Sequence, residues 1–410
     1  MQDGKLIFVS PRFAEGPTVG GAETLLKASA RHARAMGFKV TFLTTCARDH
    51  FTWRNELESG ARNIDGLDVH FFRVDEDRDI GAFLRVQDAI SRRGIYSLED
   101  EKTWLVNSVN SRALCDYLRR EADNCDWIII GPYLFGLSYF AARIRPAKTI
   151  LAPCLHDEGF AYARSFREMF RDAAGIMFNS GPEMDLGQKL YGLPAEKCAV
   201  VGMGMDFFEA PPELFAEKHD FHEPYLIYSG RREAGKGIPL LLDYFSLFRQ
   251  RQKTALKMVF TGSGRIDPPP GLEPHILDLG FVAEEKKRAA MAGAVAFCHP
   301  SVNESFGIVL LESWLARTPA LVHARCAVNH DHCRKSNGGL WFASYPEFEE
   351  ELLLLAGNRN LRDRMGRAGR DYVLREYDWK NIESKFCAAL DQFAEKFYPP
   401  ASLATQSSQR

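Results

Sequence analysis

Short apolar runs alternate with longer amphipathic stretches along most of the chain. Residues 5–10 form an apolar run of strand length, 20–36 carry apolar positions at helical spacing until Gly37 stops them, and 39–44 form a second apolar run. Strand, glycine-rich turn, helix and strand in that order predict a right-handed βαβ unit whose ligand lies at the carboxyl ends of the strands. Strand-like runs at 68–72, 127–130, 148–151, 175–179 and 199–201 continue the pattern. Residues 206–225 interrupt it with Pro211, Pro212, Pro224 and mixed charge, the composition of a linker. The alternation then resumes with strands at 225–229, 257–261 and 276–279, a helix at 238–248, and a strand over 294–300 followed by a helix reaching 317. Helices with polar faces are predicted over 346–376 and a terminal helix over 379–397, before a tail whose composition predicts disorder.

A length of 410 residues exceeds a typical single core and suits two domains. The net charge of −2 and pI near 6.6 provide no polycation, which excludes nucleic acid as the expected partner. The most apolar stretch, residues 127–142, contains Gly131, Pro132 and Gly136 and falls short of the roughly 20 residues of a bilayer-spanning helix. The first strand follows Met1 so closely that no signal peptide is expected, and nine scattered cysteines then read as reduced thiols of a cytoplasmic protein.

The most informative segment runs from Asn303 to Glu312, where Glu304 and Glu312, separated by seven residues, bracket Ser305, Phe306, Gly307, Ile308 and Val309. The preceding strand ends at Pro300, so Glu304 is expected in the loop at its carboxyl end and Glu312 inside the next helix. A helix opening near Phe306 to Ile308 aims backbone N–H groups and a partial positive charge at the loop, which suits a diphosphate. Carboxylates on either side can accept hydrogen bonds from sugar hydroxyls. Arg231 and Lys236, five positions apart in the loop after the 225–229 strand, offer one forked and one point-like cation for the same diphosphate. Gly20 and Gly21 open the first helix and permit positive φ and close backbone approach. Gly262 and Gly264 repeat that turn after a later strand, with Asp267 standing where a dinucleotide fingerprint has its third glycine. His156 follows the strand ending at Leu151, and Glu284 to Arg288 is a charge run that reads as a solvated helix face.

Gly20-Gly21-Ala22-Glu23, His156-Asp157, Gly230-Arg231 with Lys236-Gly237, and the Glu304–Glu312 segment occur in the order and spacing of the retaining glycosyltransferases of family 4 (glycosyl transferases group 1), which this chain resembles over most of residues 5–390. The resemblance implies an α/β fold of the GT-B type, two Rossmann-like domains with parallel sheets facing across a cleft. Residues 1–205 would form the acceptor domain, 206–380 the donor domain, 381–398 a helix crossing back to the first domain, and 399–410 a disordered tail. It also implies transfer of a hexose from a UDP- or GDP-sugar to a hydroxyl of a saccharide or lipid-linked saccharide, with no cofactor and no metal ligand. Peripheral contact with the inner face of a membrane would follow from a lipid-linked acceptor. By resemblance Arg231 and Lys236 bind the diphosphate, Glu304 the hexose and Glu312 the ribose. Gly280-Phe281-Val282 then meets the base, and His156 either binds the sugar or moves a proton. Phosphorylase or synthase chemistry on the same fold, or a catalytically silent nucleotide-sugar-binding scaffold, are the alternatives. The chain departs from the family at Cys326-Ala327-Val328-Asn329-His330-Asp331-His332-Cys333, where relatives carry a glycine-rich loop. Its two cysteines and two histidines match no paired zinc-ligand spacing; a donor-lining loop turning at Asn337-Gly338-Gly339 is the expectation.

Overall fold

A computed structural model describes residues 4–14, 20–219 and 221–395. These fall into two compact units, one within 1–203 and 380–410, the other within 204–379. The expected disordered tail lies outside the described residues.

The first unit holds eight strands, β1 (Lys5–Val9), β2 (Lys39–Thr45), β3 (Gly60–Ile64), β4 (Leu67–Phe72), β5 (Trp127–Ile130), β6 (Thr149–Leu151), β7 (Gly175–Phe178) and β8 (Cys198–Val200). Its helices are α1 (Gly21–Ala35), α2 (Ile80–Ser91), α3 (Leu98–Asn107), α4 (Arg112–Glu121), α5 (Gly136–Ala142), α6 (Arg164–Asp172) and α7 (Gly181–Tyr191). The strand order is β3-β4-β2-β1-β5-β6-β7-β8, parallel except for the β3–β4 hairpin. Runs such as Leu6-Ile7-Phe8-Val9 and Trp127-Ile128-Ile129-Ile130 are buried along their whole length, as strands covered on both faces must be. Ile7, Val9, Ile128 and Ile130 join one core with Trp104, Phe166 and Phe170.

The second unit contains α8 (Glu213–His219), β9 (Tyr225–Ser229), α9 (Ile238–Arg251), β10 (Lys257–Thr261), β11 (Ile276–Asp278), α10 (Glu284–Ala292) and β12 (Ala296–His299). It continues with α11 (Ile308–Leu315), β13 (Ala320–His323), α12 (Ala327–Ser336), β14 (Gly339–Phe342), α13 (Tyr345–Gly357) and α14 (Arg359–Glu376). Its six strands are all parallel in the order β11-β10-β9-β12-β13-β14. Chain direction across the sheet reverses between β9 and β12, and such a switch point leaves a crevice at the carboxyl ends of those two strands.

Two readings of the sequence need correction. The linker over 206–225 contains α8, because Pro211 and Pro212 precede the helix rather than interrupt it, and fully buried Phe215 packs 5.5 Å from the Tyr225 ring. The Cys326–Cys333 segment is a helix, not a loop. It lacks glycine, ends on Asn337 in the left-handed conformation, places Arg334 and Lys335 in its last turn, and pairs Asp331 with Lys335 at 2.6 Å. Among the described residues no helix is long and apolar enough to cross a membrane, and none of the nine cysteines is in a disulfide.

The last helix, α15 (Trp379–Glu395), lays Phe386, Leu390 and Phe393 against the first unit. The Gly175 backbone at the start of β7 comes so close to Phe393 that a Cβ there would lie 2.4 Å from the ring. Phe393→Ala is therefore expected to lower unfolding free energy by about 3–5 kcal/mol. Urea denaturation of the full chain measures it, and a loss below about 1 kcal/mol would show that the contact anchors nothing.

Candidate active site

The crevice of the second unit is built from loops that approach too closely for ordinary side chains. Gly230 N–H donates to Thr261 O at 3.1 Å and Gly262 N–H to Gly280 O at 2.8 Å, stitching the loops after β9, β10 and β11 together. Gly262 has φ +117°, and a Cβ there would lie 2.0 Å from Gly230 O, so no other residue fits. Arg232, which the sequence reading passed over, reinforces the junction from a buried position. Its Nη1 donates to Asp278 Oδ2 at 2.7 Å and to Gly264 O at 3.2 Å.

Across the switch point, the loop after β9 meets the loop after β12. Lys236 Nζ lies 2.6 Å from Glu304 Oε1, both side chains being largely buried. Arg231, one-third exposed, turns to Glu233 at 3.2 Å. Behind Glu304 sits His299, the last residue of β12, its Nε2 3.6 Å from Oε1. Asn329 Nδ2 donates to His299 Nδ1 at 3.0 Å, which places the single ring proton on Nε2, facing Glu304. Burial pushes the His299 pKa down to about 4, so the ring is neutral beside the Lys236–Glu304 pair.

The turn into α11 is held from behind. Gly307 has φ +80°, and its Cα approaches Asn329 so closely that a Cβ would lie 2.6 Å from Oδ1. The buried His332 donates from Nε2 to Phe306 O at 3.0 Å and accepts at Nδ1 from the Tyr372 hydroxyl at 3.0 Å. Burial lowers its pKa to about 4. Phe306 packs edge-on to Tyr377 at 5.3 Å. The first helical hydrogen bonds of α11 run from Leu310 and Leu311 back to Gly307 O, so the N–H groups of Ile308 and Val309 lead the helix.

Glu312, one turn on, is not beside Glu304's cation. Its Oε1 lies 3.0 Å from Lys287 Nζ on α10. Burial raises the Glu312 pKa, and the Lys287 ammonium opposes that shift. For Lys287, burial favours the neutral amine, but the carboxylates of Glu312 and Glu284 outweigh it and hold the pKa above the usual lysine value. This corrects the reading of Glu284 to Arg288 as a solvated face: Lys287 points inward, and Glu284 accompanies it at 2.8 Å from the surface side. Phe281 is 64% exposed at the mouth of the β11–α10 loop, with Val282 half-buried beside it.

The remaining candidates belong to the first unit. Gly20 is the N-cap of α1 with φ −99°, and Gly21 is helical, so the positive φ expected there is absent; a Cβ on Gly20 would instead meet Glu23 Oε2 at 2.6 Å. His156 sits in the loop beyond β6, three-quarters buried, with Nδ1 3.8 Å from Glu158 Oε1. The loop is fixed by buried Glu183, whose carboxyl group accepts from Leu155 N–H at 2.6 Å and Asn179 N–H at 2.5 Å. Among the described residues, no group of three or more His, Cys, Asp or Glu is placed to hold a metal ion.

The two buried histidines set an acid limit. Each has its pKa lowered from 6.5 to about 4, so the unfolded chain binds more protons between those values. The stability that each ring contributes is then fully present above pH 6.5 and is lost as pH drops toward 4, by about 3 kcal/mol for each ring. The difference in unfolding free energy between wild type and His332→Gln, from urea titrations between pH 6 and 5, should change by about 1.4 kcal/mol per pH unit as the wild type loses the contribution of its ring. A difference that stays constant would contradict the assignment.

Residues 212–372 match the family model described as Glycosyl transferases group 1. The chain is 35% identical over 126 residues to phosphatidyl-myo-inositol mannosyltransferase of Mycobacterium leprae, covering 30% of this chain and 33% of that one. Across the curated relatives the matched region spans 33% to 64% of their own length. Among solved structures, sucrose-phosphate synthase from Thermosynechococcus elongatus superposes with a TM-score of 0.70 at 12% identity, covering 97% of this chain and all of the other. Anabaena HepE in complex with UDP and glucose gives 0.69 at 15% identity, covering 95% and 99%. The chain thus has the fold of the GT-B glycosyltransferases, two parallel-sheet Rossmann-like domains, and the match to the glycosyl transferases group 1 model spans most of the second.

Proposed function

We propose that the protein is a retaining glycosyltransferase that moves a hexose from a nucleoside diphosphate sugar to a hydroxyl of a saccharide or lipid-linked saccharide. The observation that carries this reading is the meeting of Lys236 with Glu304 at 2.6 Å beside the N-terminus of α11, at the switch point of a parallel sheet. A cation, a carboxylate and a helix end converge there, the set of groups that a sugar diphosphate calls for. Residues 206–380 would bind the donor and 1–205 the acceptor.

In this reading Lys236 and Arg231 take the diphosphate oxygens, and the N–H groups of Ile308 and Val309 complete the cradle. Their charge stabilises the leaving group as the anomeric carbon gains positive character. When the diphosphate arrives, Lys236 is shared between it and Glu304, which frees Glu304 to accept from hexose hydroxyls. Glu312 accepts from ribose hydroxyls, the Phe281-Val282 backbone meets the base, and His156 lies beside the hexose. The glycosyl–phosphate bond breaks, the acceptor oxygen bonds the anomeric carbon from the same face, and the departing phosphate oxygen takes the acceptor's proton. No metal is assigned a part.

Thermal-shift titration with UDP, GDP, ADP and their sugar conjugates, with and without EDTA, tests the donor site; one nucleotide is expected to raise the midpoint, insensitive to EDTA. Glu312→Ala is expected to weaken that nucleotide about tenfold or more. Arg231→Ala and Lys236→Ala are expected to cut turnover by about 100- to 1,000-fold. Full activity in all three variants would overturn the assignment.

A further inference from the structure

Glu312 carries a feature that a purely structural ion pair does not need. Its Oε1 is held by Lys287, but its Oε2 is buried and has no hydrogen-bond partner among the described residues. Leaving a buried charged acceptor without a donor is unfavourable, and a bound donor group removes that cost. A clamp joining α10 to α11 would be better served by a carboxylate with both oxygens satisfied. Lys287 Nζ divides itself between Glu312 at 3.0 Å and the more exposed Glu284 at 2.8 Å, so it is fixed from two sides. Its helix follows directly on the Phe281-Val282 loop, which places the pair on the nucleoside side of the crevice rather than at Lys236.

The chemistry of the pair follows from this placement. An ionised carboxylate accepts charge-assisted hydrogen bonds, roughly twice as strong as neutral ones, whereas a protonated one presents a hydroxyl. Burial works against ionisation of Glu312, and the largest opposing influence is the Lys287 ammonium, with Arg288 adding a smaller one and Glu284 acting the other way. Lys287 also fixes rotation about the carboxylate by occupying one oxygen. The free oxygen then has a defined direction.

We propose that Lys287 is the positioning residue for Glu312, locking Oε1 so that Oε2 is presented to a ribose hydroxyl, and that the site thereby selects ribonucleoside over deoxyribonucleoside diphosphates. This rests on the donor-site reading above. Lys287 touches neither the diphosphate nor the transferred sugar in this scheme, and its effect runs through Glu312 alone.

The test is calorimetric titration of the full chain with UDP, GDP and ADP, and with the 2′-deoxy and 3′-deoxy forms of whichever binds. Wild type is expected to favour the ribonucleotide about tenfold over at least one deoxy form. Lys287→Met should reduce that preference to within about threefold, while Lys287→Arg, which keeps the cation, should restore most of it. In a Glu312→Gln background, which leaves no unpaired carboxylate and so guards against misfolding, Lys287→Met should change the preference less than about twofold. A preference that survives Lys287→Met, or that is absent in wild type although the ribonucleotide binds, overturns the role of Lys287 while the donor site stands. No binding of any nucleoside diphosphate to wild type overturns the donor-site reading itself.

Discussion

Lys236 and Glu304 are 68 positions apart in the chain yet meet at 2.6 Å, and the reason is topological. Right-handed crossovers from β9 lead outward through β10 to β11, and the return to β12 brings the chain back beside β9 in the order β11-β10-β9-β12-β13-β14. The loops leaving β9 and β12 then diverge over opposite faces of the sheet, so whatever they carry borders one crevice. Once that switch point exists, a basic residue in the first loop and an acidic one in the second are neighbours with little further demand on the sequence. Gly237, at φ +75°, brings the β9 loop so close to the β12 loop that a Cβ there would lie 2.8 Å from Pro300 O.

The electrostatics of the site depend as much on groups that stay neutral as on those that are charged. His299 lies behind Glu304, and His332 behind the Phe306 carbonyl, both buried and both with pKa near 4. A charged His299 would compete with Lys236 for the same carboxylate and add a second fixed cation beside the crevice. Held neutral by burial, it faces Glu304 at 3.6 Å without altering the charge balance, and Asn329 fixes which of its nitrogens carries the proton. His332 does the equivalent for the backbone, donating to the carbonyl that precedes Gly307. The two carboxylates therefore each face one ammonium, Glu304 with Lys236 and Glu312 with Lys287.

Much of the second unit was legible because its signals are local. A proline-terminated apolar strand, a Phe-Gly turn and an apolar helix can be recognised over twenty residues, and so Glu304 falls in a loop and Glu312 in a helix as the pattern implies. Lys287 was missed because Glu284, Lys287 and Arg288 stand at the spacing of intrahelical surface pairs, a pattern that does not reveal which member faces inward. α12 was missed because the reading carried over the loop that relatives have, whereas the local composition, free of glycine and capped by Asn337, favours a helix. The β3–β4 hairpin was readable from Asp65-Gly66, whose positive φ angles of 50° and 83° make the two-residue turn, yet the weak apolarity of β3 hid it. For Gly20 the type of residue was noticed but its cause was not: the constraint is the Glu23 carboxylate, itself paired with buried Arg12, rather than a left-handed backbone.

These differences explain how the same backbone persists at 12–15% identity to its structural neighbours. A parallel strand buried on both faces asks only for apolar side chains of suitable volume, and many combinations satisfy it. The glycine close approach at Gly262 and the left-handed start of α11 at Gly307 tolerate far fewer substitutions, because each is fixed by a distance that one added atom would violate. Such positions are ones that a short motif can capture, whereas Lys287, whose partner Glu312 lies on another helix, leaves no mark in the chain's local pattern.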